Sequence, residues 1–200
     1  MIGIRMRNIF LYICILCTSC AIPSPEVVYI QQPIQENSEP SDSQTSVWTH
    51  EGYQFKSLAT YRIEGRVLST NRHRFGPAAK LAPLDFVLGW GNMADPHIYK
   101  TLNVVQSGRF YTYRTTDKSP SLSHKQFFEF TSNTHLVPKD KEVYQQLKSV
   151  KTDQIVVLEG HLVSITGPNE FSWYSSMHRT DTGNGACELM WVDKVEIVSL

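Results

Sequence analysis

From Tyr61 to Val67 the chain alternates, with Tyr61, Ile63 and Val67 apolar and Arg62, Glu64 and Arg66 charged. That period of two predicts a strand with one face covered and a charged face in water. Residues 103–114 (NVVQSGRFYTYR) predict a second strand region, with Gly108 marking a bulge or bend, and 154–165 (QIVVLEGHLVSI) a third, with Gly160 similarly placed. A fourth runs over 171–177 after the turn residues Gly167, Pro168 and Asn169, a hairpin loop by composition. A fifth, over 186–198, is long enough to bend. Between the second and third, residues 140–149 carry Val143, Leu147 and then Val150 at helical spacing behind Asp140, which predicts a capped helix. Asp95 followed by Pro96 predicts the start of a shorter one.

Five strand regions, interior glycines and a helix between the middle and late strands predict a mainly β domain over 47–200. The expected form is a small OB-like Greek-key barrel with one or two short helices. A β-sandwich or an α+β domain would have the same strand count. No internal repeat is visible.

The N-terminal residues follow a different pattern. Arg5 and Arg7 precede the apolar run 9–16 (IFLYICIL), which is too short to span a bilayer, and Cys17, Thr18, Ser19 and Cys20 follow at once. Residues 1–20 resemble the signal of a bacterial lipoprotein, in which a small-residue stretch precedes a cysteine that receives a thioether-linked lipid. Leu16, Thr18, Ser19 and Cys20 fit that pattern, whereas Cys17 stands where an aliphatic residue is usual. The resemblance implies lipidation at Cys20. Ordinary secretion with cleavage after Ala21, or an uncleaved anchor, are the alternatives. Ala21 lacks the aspartate that retains many such proteins in an inner membrane. The expected address is therefore the outer membrane, facing the periplasm.

Residues 21–46 hold four of the ten prolines, four acids and no Lys or Arg. That composition predicts a disordered tether able to hold a domain tens of ångströms from a membrane. The patch from Val27 to Ile30 is its one apolar run, an incidental feature or a strand that docks on something. From Val47 onward 17 basic and 15 acidic residues remain, a balance unsuited to coating nucleic acid through its phosphates. With Cys14 and Cys17 in the leader and Cys20 lipidated, Cys187 is left alone. The domain then has no internal disulfide to lean on.

Four segments have unusual vocabulary for loops: Leu81 to Asp85, Gly89-Trp90-Gly91, Ser132 to Pro138, and Ser175 to Glu188. In these segments the chain from about 60 to 198 resembles a group of bacterial exported proteins with no assigned function. That group shares the runs APxD, GWG, SxNxHxxP and SSxxRxDTGxGACE. The resemblance implies export and brings no activity with it.

Three function classes follow from the residues. One is an accessory or structural binding module for another envelope component. Another is a hydrolase with Cys187 as nucleophile, His135 as base and Asp85 orienting it, the glycines before Cys187 offering backbone N–H groups to an oxyanion. The third is a glycan or small-molecule binder around Arg109, Tyr111 and Trp90, with Arg179, Asp181 and Glu188 as further polar contacts. Arg62, Arg66, Arg72, Arg74 and Lys80 would extend it into a basic face, or be a solvated strand face. Asp181-Thr182-Gly183 matches an aspartic-protease tripeptide, but it occurs once and reads as a turn. No metal-ligand spacing and no cofactor fingerprint stands in the seven histidines or elsewhere, so no cofactor is expected.

Overall fold

The computed structural model of the chain describes residues 29–38, 46–115, 122–178, 181, 183 and 185–198. In chain order these form β1 (Ile34–Asn37), β2 (Val47–His50), β3 (Tyr53–Arg72), α1 (Pro77–Leu81) and β4 (Leu84–Gly89). A 3-10 turn (Gly91–Ala94), α2 (Pro96–Tyr99), β5 (Leu102–Ser107), β6 (Phe110–Thr115) and α3 (His124–Glu129) follow. The chain continues through β7 (Thr131–Pro138), α4 (Lys141–Ser149), β8 (Ile155–Thr166), β9 (Ser172–Tyr174) and β10 (Glu188–Val198). The protein is mainly β, as its periodicity predicts. No helix among the described residues is long and apolar enough to cross a membrane.

Five strands pair in the order β3, β4, β7, β10 and β8, and β8 pairs again with β3. All these contacts are antiparallel except that between β7 and β10. β3 reaches two neighbours through its length. Its residues from Gln54 to Arg66 pair with β8, and those from Arg66 to Arg72 pair with β4. Gly160 lies between Tyr61 of β3 and Val192 of β10, where an added Cβ would strike the carbonyl of Trp191. Only glycine lets the two strands approach there.

Side chains on one face of these strands form the central core: Ile63 and Val67, Phe86 and Leu88, Leu136, Leu158 and Leu162, Met190 and Val192. α4 adds Val143 and Leu147 to it. Asp140 caps α4 by accepting from the Val143 N–H at 2.8 Å, as the sequence pattern predicts, and Asp95 caps α2 through His97 N–H. The opposite faces are covered too. Val87 packs with Met93, Tyr99 and Phe127 beneath β5, β6 and α3, and Val137, Val163 and Leu189 pack with Phe55 and Trp191.

Double coverage explains where the structure departs from the sequence reading. β4 and β7 are buried almost throughout, so they lack alternation and read as loops in the sequence. Residues 103–114 are two strands, with Gly108 at φ +58° turning a hairpin rather than bending a single strand. Four α-helices are present in the described residues instead of one or two; α3 starts at a capping box of Ser123 and Gln126. Arg66 is not on a solvated face. It is buried, and it donates to the carbonyls of Ala94 (2.6 Å) and Asp153 (2.8 Å).

Residues 30–37, within the stretch expected to be a disordered tether, also differ. β1 pairs with β3 from Ile34 opposite Arg62 to Asn37 opposite Ala59, and the Gly91 N–H donates to the Ile30 carbonyl at 2.9 Å. The Ile30 side chain is 1% exposed and belongs to the central core. The edge of β3 between β2 and β4 presents backbone groups that need partners, and a core site that needs an aliphatic side chain; residues 30–37 supply both. Ile30→Ala is expected to cost about 2–5 kcal/mol in urea denaturation, the range for removing a buried aliphatic side chain. A loss below about 0.5 kcal/mol, the level of an ordinary surface change, would detach this segment from the domain.

Candidate functional site

Asp85 stands on β4 facing away from the central core and is fully buried. Its antiparallel partner on β7 is His135. Three basic side chains converge on its carboxylate. Arg109 Nη1 donates to Oδ1 at 2.7 Å, and His73 Nε2 meets Oδ2 at 2.8 Å. His135 Nδ1 lies 3.0 Å from Oδ1 without the geometry of a hydrogen bond. A carboxylate withdrawn from water needs such company, because burying it unpaired would cost several kcal/mol.

Each partner arrives from a different element. His73 follows β3, where its N–H donates to the Pro83 carbonyl at 2.9 Å. Arg109 sits at the tip of the β5–β6 hairpin, beside Gly108, whose carbonyl accepts from Asn71. Its Nη2 donates to the Ala82 carbonyl at 2.8 Å, and the guanidinium lies 4.9 Å from the Trp173 ring centroid. Trp173, on β9, also meets the His135 ring at 5.1 Å. Burial pulls the Arg109 pKa below its ordinary value, and the neighbouring Asp85 pushes against that pull. The guanidinium keeps its proton.

Asn133, two residues before His135 on the same face of β7, links this cluster to Cys187. Its side-chain carbonyl accepts from Gln106 at 2.9 Å, and its amide donates to the Arg109 carbonyl at 2.9 Å and to Cys187 Sγ at 3.6 Å. The parallel register of β10 with β7 sets Glu188 opposite Thr134 and so brings Cys187 beside Asn133. The thiol donates to the Arg109 carbonyl at 3.7 Å. Burial first, then the charges of Glu188, Asp85 and Asp181, push its pKa up to about 11, against a lowering by Asn133. A nucleophilic cysteine needs the opposite surroundings. The structure thus brings Asp85 and His135 together as the sequence suggests, with Cys187 nearby, protonated and bonded to Asn133 and a carbonyl.

Two pockets flank the hairpin tip, and Phe110 and Cys187 line both. The narrower, about 200 Å³, is lined by Tyr111, Phe128, Ser132, Asp181 and Glu188 among others. The Tyr111 hydroxyl is 3.0 Å from Thr131 Oγ1, and burial raises its pKa. The wider, about 570 Å³, is lined by Ala78, Arg109, His135, Trp173 and Tyr174 among others. Glu188 is buried, and Asp181 accepts from Ser176 Oγ at 2.6 Å near Gly183 and Gly185, both at positive φ.

The remaining sequence candidates fare differently. Trp90 is 1% exposed in the central core and presents no surface to a ligand. Cys20 and Arg179 lie outside the described residues. The basic side chains proposed as one face are dispersed: Arg62 pairs with Glu159 at 3.6 Å, Arg72 bonds the Tyr144 hydroxyl at 2.9 Å, and Arg66 and Arg109 are engaged as above. Among the described residues no group of three or more His, Cys, Asp or Glu side chains is arranged to hold a metal ion. His73, Asn133 and Phe110 were missed. For Asn133 the signal was present, since positions 133 and 135 share a strand face once 131–138 is read as a strand.

The raised thiol pKa has a sign that can be tested. Well below pH 9 the thiol is protonated in both folded and unfolded chains and favours neither. Between the ordinary value of 9.0 and about 11 the unfolded chain releases the proton while the folded one keeps it. Stability therefore falls as pH rises through that window. Cys187→Ala is expected to flatten the alkaline arm of the stability–pH curve. In the native wild type, iodoacetamide at pH 8 should alkylate Cys187 at least about a hundredfold more slowly than in the unfolded chain, because thiolate is the reacting form. Equal rates would refute the assignment of Cys187 as a half-buried, protonated thiol. No family model, curated protein or solved structure matches this chain.

Proposed function

We propose that the protein is a cell-envelope binding module, anchored at the outer membrane by lipid on Cys20, whose domain is a Greek-key barrel of the OB type. The leader pattern of residues 1–20 supports the anchor. For the barrel, the support is the pairing cycle. Taken in chain order, β3, β4, β7, β8 and β10 are neighbours as first–second–third–fifth–fourth and back to first, with α4 between third and fourth. Barrels of this type present ligands with the face of their second and third strands and with the loops joining first to second and fourth to fifth.

The observation that carries the binding assignment is the composition of the wider pocket. His135 comes from the third strand of the cycle, and Ala78 from the segment joining the first to the second. Phe171, Trp173, Tyr174 and Cys187 come from the segment joining the fourth to the fifth. Asp85, on the second strand, lies under them. Residues from distant parts of the chain converge on one concavity, which is how small binding sites are built. The protonated Cys187 weighs against reading the same cavity as the centre of a cysteine hydrolase.

The test uses the full chain in a bacterium with two membranes. Wild type should fractionate with the outer membrane and Cys20→Ser with the soluble periplasmic fraction. A photoreactive phenylalanine analogue replacing Tyr174 should crosslink a defined envelope component, and the same group at Glu142, on exposed α4 surface, should not. A wild type that is wholly soluble, or equal crosslinking from both positions, would overturn the proposal.

A further inference from the structure

We infer that the wider pocket takes an uncharged oligosaccharide, an assignment that rests on the reading of this face as a binding site. The charges around the cavity define what it can hold. Among the described residues its only permanent cation is Arg109, whose charge is matched by Asp85 and whose guanidinium is already bonded to Ala82 and set against Trp173. An anionic ligand would have to compete with a buried carboxylate for that guanidinium. No described carboxylate lines this pocket, since Asp85 is fully buried beneath it, so a cationic ligand finds no counter-charge either.

The walls carry the rest of the argument. Phe110 is 54% and Tyr174 61% exposed, and both border the cavity with Phe171 and Trp173. Rings left in water at the rim of a concavity mark a surface that gains by being covered. Polar groups are interleaved with them. Ser172 is exposed beside Trp173, and the bonds of Arg109 to Asp85 and Ala82 use two of its five N–H donors. A hydrocarbon chain would cover the rings but strip water from these donors without replacing it. A neutral sugar meets both demands, because its C–H faces lie against aromatic rings while its hydroxyls exchange hydrogen bonds at its edges. The volume, about 570 Å³, suits a short oligosaccharide. The narrower pocket differs, since Asp181 and Glu188 line it.

The inference is tested by titrating the full chain, in detergent, with maltotriose and with tri-N-acetylchitotriose, reading tryptophan emission and calorimetric heat. Trigalacturonate serves as the anionic comparison. At least one neutral trisaccharide should bind saturably, and its affinity should change less than about twofold between low and high salt, because no charge pairing is involved. Tyr174→Ala should weaken it at least tenfold, whereas Phe75→Ser, at an exposed aromatic that does not line the pocket, should leave it unchanged. Trp173→Ala should do the same as Tyr174→Ala, and the exposed Tyr174 keeps the test valid where loss of Trp173 unfolds the domain. Binding of trigalacturonate alone, or of none of the three, overturns the assignment. If the sugars fail while the crosslink from position 174 still captures an envelope component, only the ligand class falls and the binding role stands.

Discussion

The burial of the Asp85 carboxylate is the constraint on which the rest of this face depends. A strand lined with Leu, Phe and Val carries one charge into a place without water, and that charge must be answered by partners brought from elsewhere. The answer comes from the segment after β3, from the neighbouring strand β7 and from the tip of a hairpin that is not part of the main sheet. Loss of any one of them would leave a buried charge short of compensation, so the loop 73–83, the hairpin and β9 are tied to one point. The same tie sets the shape of the surface. By reaching inward to Asp85, Arg109 draws the hairpin over the strands and divides what would be one open face into two pockets.

Much of the architecture was legible in the sequence where strands alternate or are apolar throughout. β3 shows its alternation from Tyr61 to Glu64, β8 and β10 show long apolar runs, and α4 shows both its spacing and its cap. Legibility failed where a strand covered on both sides carries polar residues into the interior. In β4 the residues 84–89 (LDFVLG) contain one polar position, and it is the buried acid. In β7 Asn133 and His135 are buried beneath the hairpin, Trp173 and Cys187, whereas Ser132 and Thr134 share the opposite face with Leu136 and bond each other beside the central core. No local period reports that a distant segment will supply the cover. The site suffered from the same blindness. Asp85 and His135 were recognisable as unusual polar residues and do meet, but their adjacency is a matter of strand pairing. Arg109 was noticed for its charge, and its role comes from the hairpin turn at Gly108 that aims it.

Polar residues in this face divide by what surrounds them. Asp85 and Arg109 neutralise each other, His73 bonds the same carboxylate, and Asn133 uses its carbonyl and its amide to hold Gln106, the hairpin backbone and the thiol. These groups fix geometry. The groups that remain open to solvent, Ser172, Tyr174 and Phe110, stand at the rim and are free to meet something else. A rigid, electrically balanced floor beneath an adaptable aromatic rim is an economical way to position a ligand without attracting every ion that passes.

With the proposed lipid anchor at Cys20, the docking of residues 30–37 on β3 would change how far the domain can roam. A leash of 26 residues fully extended would let it range about 90 Å from an anchor at Cys20, whereas the ten steps from Cys20 to Ile30 allow about 35 Å. The volume accessible to an anchored domain would shrink by more than about tenfold, and its effective concentration for anything on the same membrane surface would rise in proportion. Because Ile30 is held in the core beside Gly91, such a leash would also pull on one fixed point of the body. A lipid-anchored domain would then behave as a short-radius probe of the layer next to its own bilayer, with a restricted set of orientations in which to search it.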